Sequence, residues 1–80
     1  MRVGLEIARH AAACALLKEL RSARGFTQGE VAARLGKPQS YVSKYESGER
    51  RLDVAELMAV CSALGVTLVQ FSRELTERVE

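Results

Sequence analysis

The chain has no tryptophan, one proline, one histidine and two cysteines among its 80 residues. Cys14 and Cys61 form no CxxC pair, and His10 completes no set of zinc ligands at a usual spacing. Both cysteines lie in apolar helical patterns, which predicts buried free thiols in a reducing compartment. We therefore expect no metal site.

Long apolar runs are also missing. The run at residues 11–17 is far shorter than the ~20 apolar residues that a membrane span needs. It is preceded by Glu6, Arg9 and His10 and is followed by no small-residue cleavage site, so it does not resemble a signal peptide. We expect a cytoplasmic protein that does not bind membranes.

Motifs for catalysis are absent as well. Eighty residues make one small domain, residues 1–80, which buries only about 60 % of the surface of the unfolded chain and has little room for an enclosed pocket. No pair of carboxylates accompanies a nucleophile, and no glycine-rich phosphate loop occurs. The sequence therefore predicts a binding protein without a cofactor, and not an enzyme.

The formal net charge of +2 is unevenly distributed along the chain. Residues 21–51 carry seven basic and three acidic side chains, whereas residues 52–80 carry two basic and five acidic ones. A basic middle beside an acidic end is typical of a protein that presents one face to a polyanion. Composition alone leaves open the alternative of a mixed, solvated surface.

Apolar residues at steps of three and four predict an all-α fold of five helices. We expect them at about residues 5–24, 28–35, 38–47, 53–64 and 67–79. Gly36 and Pro38 end one helix and start the next within three residues, so the second and third helices form a helix-turn-helix at about residues 27–47. The fourth helix is expected to carry one apolar face made of Val54, Leu57, Met58, Cys61 and Leu64.

The third helix has hydrogen-bonding side chains opposite its apolar residues Val42 and Tyr45. The outward face consists of Gln39, Ser40, Ser43 and Lys44. Gln can bond bidentately to adenine, Lys donates to guanine O6 and N7, and Ser can bond several bases. The pattern predicts a recognition helix in the major groove of double-stranded DNA, with these four residues contacting bases. A merely solvated polar face is the alternative.

Three further residues are candidates for contacts with the DNA backbone. Gln28 begins the second helix, where free N–H groups and an amide side chain can hold a phosphate. Arg50 and Arg51 follow the third helix, where the chain would leave the groove. The second helix is therefore expected to cross the DNA backbone.

The fifth helix, about residues 67–79, is a candidate dimerisation element. Leu68 and Phe71 can complete the core, but Val69 and Val79 would be exposed in a monomer. A second copy could cover them in a twofold contact that sets two recognition helices about 34 Å apart, one turn of DNA. We therefore expect a homodimer on a palindromic operator. Two ordinary surface valines are the alternative.

The segment TQGEVAARLGKPQSYVSKYESGERRLDVAELMAVCSALGV combines a Thr-Gln pair, an apolar-Ala pair, a Leu-Gly pair and an apolar-Ser pair with two glutamates and a glycine before a basic stretch. These are Thr27, Gln28, Glu30, Val31, Ala32, Leu35, Gly36, Val42, Ser43, Glu46 and Gly48. The pattern resembles the helix-turn-helix of the Xre and Cro-like phage-repressor family over about residues 16–75. The resemblance implies a compact five-helix, lambda-repressor-like domain that binds operator DNA as a dimer and regulates transcription.

Carried over residue by residue, the resemblance implies base contacts by Gln39, Ser40 and Lys44. It implies a contact to a base or a phosphate by Ser43. Phosphate contacts follow for Gln28 and Tyr41, while Arg50 and Arg51 would lie near phosphates or the minor groove.

The resemblance also implies a partly buried ion pair between Arg21 in the first helix and Glu46 in the third. The sequence departs from the family at Pro38, where many relatives carry Ser or Thr as a helix cap. Pro38 makes the first turn of the third helix depend on proline geometry, and therefore bears on how that turn enters the groove.

A second class of function uses the same scaffold. Helix-turn-helix domains also serve as antitoxins or as other protein-interaction modules, since a fold does not determine a function. Within the DNA-binding hypothesis, a phage repressor, a restriction-modification controller and an antitoxin autorepressor stay open. The sequence does not determine the operator, the inducing signal, or whether transcription is repressed or activated.

Overall fold

The computed structural model describes residues 2–79, and five α-helices follow one another along this part of the chain. They are α1 Arg2–Ala23, α2 Gln28–Leu35, α3 Gln39–Ser47, α4 Val54–Ala63 and α5 Leu68–Val79. The predicted all-α class with five helices is confirmed. α1 begins at Arg2 and not near residue 5, so its first turn extends beyond the apolar pattern that predicted it.

Three helices begin with reciprocal hydrogen bonds between a cap residue and the residue three positions later. The pairs are Thr27 with Glu30, Asp53 with Glu56, and Thr67 with Gln70. In the first of them, the Glu30 N–H donates to Thr27 Oγ1 at 3.0 Å, and the Thr27 N–H donates to Glu30 Oε1 at 2.8 Å. These bonds satisfy N–H groups that the start of a helix leaves unpaired, and so fix where α2, α4 and α5 begin.

The turn between α2 and α3 is built by a glycine and a proline. Gly36 ends α2 in the left-handed region, at φ 66° and ψ 32°, which a residue with a Cβ adopts only at a cost. Pro38 is the N-cap of α3 and lies just before its first helical residue, whereas the sequence placed it inside the helix. Its carbonyl accepts the Tyr41 N–H at 3.0 Å, but it offers no side-chain cap.

The core lies at the junction of all five helices. α1 packs against α3 and α5, α2 packs against α3 and α4, and α4 packs against α5. The largest fully buried side chains are Tyr45, Leu16, Leu64, Val31, Val42, Val60 and Cys61. Cys14 and Cys61 are buried free cysteines, as predicted, and burial raises the pKa of both thiols.

The expected apolar face of α4 is wrong at two positions. Val54 is 67 % exposed and Met58 is 54 % exposed, whereas Val60, which the pattern omitted, is fully buried. Leu57 packs against the core, and Cys61 lies inside it. The buried face is therefore displaced around the helix axis, and Val54 and Met58 form an apolar strip at the surface.

Within residues 2–79, no single helix combines the length and hydropathy that a membrane crossing needs. α4 and α5 meet both criteria when taken together, but the chain bends by 103° between them. In the same part of the chain, no three histidine, cysteine or carboxylate side chains form a group that could hold a metal ion.

Candidate nucleic-acid interface

α3 has a buried apolar face and an exposed polar one. Val42 and Tyr45 are almost fully buried, at 0 % and 1 % exposure, and they fix the rotation of the helix about its axis. The four predicted base contacts are all exposed: Gln39, Ser40, Ser43 and Lys44. The structure thus brings these four side chains together on one exposed face of α3.

A chain of hydrogen bonds runs from the core to this face. Gln28 Nε2, at the start of α2, donates to Glu46 Oε1 at 3.0 Å. Gln39 Nε2, at the start of α3, donates to Gln28 Oε1 at 3.3 Å. Because Gln28 uses its N–H group toward Glu46, its carbonyl oxygen faces Gln39. The amide orientation of Gln39 is therefore set by a carboxylate two side chains away.

The chain of bonds starts at an ion pair. Arg21 Nε donates to Glu46 Oε2 at 2.7 Å, and Arg21 Nη2 donates to Glu46 Oε1 at 3.0 Å. The side chains are 13 % and 3 % exposed, and Arg21 also donates to the carbonyl of Phe26 at 2.8 Å. The hydrogen bonds to Glu46 raise the pKa of Arg21. The pair that the family resemblance implies is present, and it joins α1 to the end of α3.

Tyr41 occupies the edge of the same surface. Its ring lies 5.7 Å from that of Tyr45, edge to face, with an angle of 83° between the planes. The Lys37 ammonium and the Arg50 guanidinium lie 5.4 Å and 4.8 Å from the ring centre. Burial, and then the charge of Glu56, raise the pKa of Tyr41. The phenol therefore stays neutral at physiological pH and can donate a hydrogen bond.

Arg50 and Arg51 are adjacent in sequence but differ in their surroundings. Arg50 Nη2 donates to Glu56 Oε2 at 2.7 Å, and Arg50 Nη1 donates to Glu56 Oε1 at 3.3 Å. Arg51 is exposed, and residues 2–79 contain no acidic partner for its guanidinium within salt-bridge distance. Glu56, which also caps α4, therefore bonds both the Asp53 N–H and Arg50, a pairing that no sequence spacing indicates.

His10 links α1 to the end of α3, a role that the sequence did not indicate. Its Nε2 donates to the carbonyl of Gly48, the C-cap of α3, at 3.1 Å. The Cys14 sulfur lies 3.8 Å from the same nitrogen. The bond between His10 and Gly48 could not be predicted from sequence spacing, because the two residues are 38 positions apart.

The two valines predicted at a dimer contact differ in exposure. Val69 is 64 % exposed on α5, as expected, whereas Val79 is half-buried and not fully exposed. Arg78, next to Val79, reaches α1 and donates to both oxygens of Glu19 at 2.6 Å and 3.0 Å. The end of α5 is thereby held against α1.

A family model for the helix-turn-helix matches residues 17–71 of the chain. Among curated proteins, the chain is similar to the uncharacterized HTH-type transcriptional regulator y4dJ of Sinorhizobium fredii (strain NBRC 101917 / NGR234). The two are 45 % identical over 51 residues. The matched segment covers 64 % of this chain and 66 % of that protein, just under two thirds of its length.

Solved structures are similar over nearly the whole chain. An XRE-family like protein from Pseudomonas syringae pv. tomato str. DC3000 shares 46 % identity at a TM-score of 0.92, covering 99 % of this chain and 96 % of that one. The restriction-modification controller protein C.Esp1396I, solved as a tetramer with its natural 35 base-pair operator, shares the fold at a TM-score of 0.82. Its identity is 24 %, over 89 % of this chain and 93 % of that one.

Proposed function

The chain belongs to the XRE-family helix-turn-helix proteins, and from this premise we propose that it is a sequence-specific transcriptional regulator acting on DNA in the cytoplasm. We assign it no catalytic step, because its family consists of transcriptional regulators, which act by binding. Repression or autoregulation is the mode we propose, since a small domain bound over a promoter excludes polymerase without needing a further contact.

The exposed face of α3 carries this proposal. Gln39, Ser40, Ser43 and Lys44 are all exposed above a fully buried apolar face. Gln39 is further held by Gln28, whose amide is anchored on Glu46. A face that was only solvated would need no such support, whereas a residue that selects one base gains affinity when its amide is held before binding.

We propose phosphate contacts around that face. Gln28 lies at the positive end of α2, Tyr41 has a neutral hydroxyl on the edge of α3, and Arg51 has an exposed, unneutralised charge. Their contacts would fix the register of the protein on the duplex without selecting a sequence. Arg50 lies over the Tyr41 ring and is paired with Glu56, so it is not counted among these contacts.

We propose a homodimer on a palindromic operator. Val69 is the exposed apolar residue of α5, and Val79 lies on the same helix near its end. Each would meet its twofold mate in an isologous contact. The controller protein C.Esp1396I, similar in fold, binds its operator as a tetramer, which is consistent with an oligomer here.

The proposal is tested by selection from a random pool of DNA duplexes at about 150 mM salt, where specific binding exceeds non-specific binding. We expect an enriched palindrome whose half-sites lie about one helical turn apart. Gln39→Ala and Lys44→Ala should lose the preference at one position of each half-site. Lys18→Ala is the matched control, because it removes an exposed charge from α1 and leaves α3 intact.

An interaction module for another protein is the second candidate, and Val54 and Met58 favour it. Both are apolar and exposed on α4. If the selected pool stays random and weak binding shows no dependence on Gln39, the DNA proposal is rejected. Val54→Ser with Met58→Ser would then be the variant with which to test for a protein partner.

A further inference from the structure

We propose that Arg50 supports DNA binding as a positioning residue, by holding Tyr41 and the loop after α3, and not by contacting a phosphate itself. This inference rests on the proposed function and replaces the direct contact that the sequence and the family resemblance suggest for Arg50. It divides two neighbouring arginines into different roles. Arg51 contacts the DNA backbone through its charge, and Arg50 holds the Tyr41 ring in place.

The guanidinium of Arg50 makes three hydrogen bonds within the protein. Both of its terminal nitrogens donate to the Glu56 carboxylate, and Nη1 also donates to the carbonyl of Arg51 at 2.9 Å. Glu56 Oε1 accepts the Asp53 N–H at 2.9 Å as well. One carboxylate therefore ties the loop that leaves α3 to the first turn of α4. A bidentate pair of this kind fixes direction as well as distance.

The charge of Arg50 is neutralised where it lies. The Arg50 guanidinium lowers the pKa of the Glu56 carboxyl, so the pair stays ionised at neutral pH. Bringing Arg50 toward a phosphate would bring Glu56 with it, and the attraction and the repulsion would nearly cancel. Breaking the pair to free Arg50 would leave Glu56 uncompensated beside the polyanion.

Tyr41 is the group on which Arg50 acts. The guanidinium lies 4.8 Å from the centre of the Tyr41 ring, and the edge-to-face contact with Tyr45 holds the ring from within the core. A planar cation over an aromatic face restricts the ring. The hydroxyl, the group of Tyr41 that can bond a phosphate, is then presented in a single direction.

Salt dependence separates the two roles. Binding to a mixed-sequence duplex of about 30 base pairs is measured from about 50 to 200 mM salt, where each neutralised phosphate adds about 0.9 to the slope of log affinity against log salt. Arg51→Gln should reduce that slope by about 0.9. Arg50→Gln combined with Glu56→Gln removes the pair without leaving a carboxylate uncompensated beside the DNA. This double variant should weaken binding by about tenfold, the size of a coupling between contacting residues, and leave the slope unchanged.

Glu56→Gln gives a second test in which the two roles predict opposite signs. Gln at this position preserves the capping box of α4 but removes the charge that anchors Arg50. If Arg50 contacted a phosphate, freeing it would strengthen binding. If Arg50 is a positioning residue, Glu56→Gln should bind more weakly than Glu49→Gln. Glu49→Gln is the matched control, because it removes a negative charge from an exposed residue of the loop that carries Arg50.

A double-substitution cycle then shows whether Arg50 acts through Tyr41. Tyr41→Phe keeps the ring and removes only the hydroxyl. In that background Arg50→Gln should weaken binding by less than about threefold, because the group that Arg50 positions is already gone. A general loss of stability would weaken binding equally in both backgrounds. Urea unfolding of each variant confirms that binding is measured on folded protein.

Three results would overturn the inference. One is a slope for the double variant Arg50→Gln with Glu56→Gln that is reduced as much as the Arg51→Gln slope. The others are Glu56→Gln binding more tightly than Glu49→Gln, and an Arg50→Gln loss that is the same with and without the Tyr41 hydroxyl. Wild-type protein that binds no duplex even at about 50 mM salt would reject the proposed function itself, and this inference with it.

Discussion

Two arginine–glutamate ion pairs join α1 to its neighbours, one to α3 and one to α5. The two pairs differ in burial. On the α3 side, Arg21 and Glu46 are 13 % and 3 % exposed. On the α5 side, Arg78 and Glu19 are 33 % and 58 % exposed. The distances are almost the same, 2.7 Å and 2.6 Å. Geometry therefore does not distinguish the pairs, and their surroundings decide what each contributes.

Because the Arg21–Glu46 pair is buried, either partner is costly to replace alone. Replacing one partner with a neutral residue leaves the other charged side chain buried, without water or a counter-charge. In an exposed pair, water hydrates the charge that is left. Glu46 belongs to α3, the proposed recognition helix, and Gln28 donates a hydrogen bond to it. On the α5 side, which carries exposed Val69, water can replace the ion pair, and buried Phe71 holds the helix on the core. The polar contacts of α1 are therefore buried toward α3 and exposed toward α5.

The largest expected effect is on the buried pair. Glu46→Ala should lower the free energy of unfolding by about 3–5 kcal/mol, because it strands the Arg21 guanidinium. Urea denaturation followed by circular dichroism measures the change. The double variant Arg21→Met with Glu46→Leu is the control, and it should recover more than half of the loss because no charge stays buried. A double variant no more stable than Glu46→Ala would show that the charge is not the cause.

Local signals along the chain predicted most of the fold. Gly36 and Pro38 predicted where α2 ends and, within one residue, where α3 begins, because each acts on residues within one turn of itself. The strip of Val54 and Met58 was misplaced, since which face of a short helix is buried depends on the helices around it.

The candidate site was predictable in part, for the same reason. Residues on the outward face of α3 could be chosen from helical periodicity. The bonds of Glu56 with Arg50 and of His10 with Gly48 could not, because they join different elements and have no spacing of their own. Arg21 and Glu46 are 25 positions apart and were found only through a family resemblance. Periodicity gives the face of a helix, while tertiary packing decides which polar groups on it are already paired.

Alkaline pH should lower the free energy of unfolding through Tyr45 of α3. Burial, followed by the charge of Glu46, raises the pKa of Tyr45 well above its usual value near 10. A phenol with a raised pKa in the folded state contributes its full stability below the unfolded pKa. That stability is lost as the pH rises from the unfolded pKa toward the folded one. Above pH ~10 the loss should approach about 1.4 kcal/mol per pH unit.

Tyr45→Phe is the control for that loss. It should flatten the pH dependence between about pH 10 and 11.5, the range in which unfolded tyrosine ionises. The measurement is urea denaturation at several pH values, for wild type and variant in parallel. An equally steep loss in both proteins would assign the alkaline effect to other groups.

Helix caps should contribute equally on the two sides. Thr27 caps α2 and Thr67 caps α5, and each accepts an N–H at 3.0 Å while its own N–H is accepted by the residue three positions later. Both threonines are exposed. Thr27→Ala and Thr67→Ala should each cost about 1 kcal/mol in urea denaturation. Unequal costs would show that tertiary packing, and not the cap alone, fixes one of the two helix starts.

The smallest expected effect is on the exposed pair. Glu19→Gln should leave the urea midpoint unchanged within error, although the two side chains are bonded as closely as the buried pair. Without the charge of Glu19, Arg78 is hydrated and still has Glu74 at 3.5 Å. The gain from pairing with Glu19 is offset by the entropy of holding two long side chains. The Arg78 guanidinium lowers the pKa of Glu19, so any contribution of the pair is present above the usual glutamate pKa and is lost as the pH falls through the lowered one. Urea unfolding of wild type and Glu19→Gln at pH 7, in low and in high salt, measures the contribution of the pair to the free energy of unfolding. A variant as destabilised as Glu46→Ala would remove the distinction between the two sides of α1.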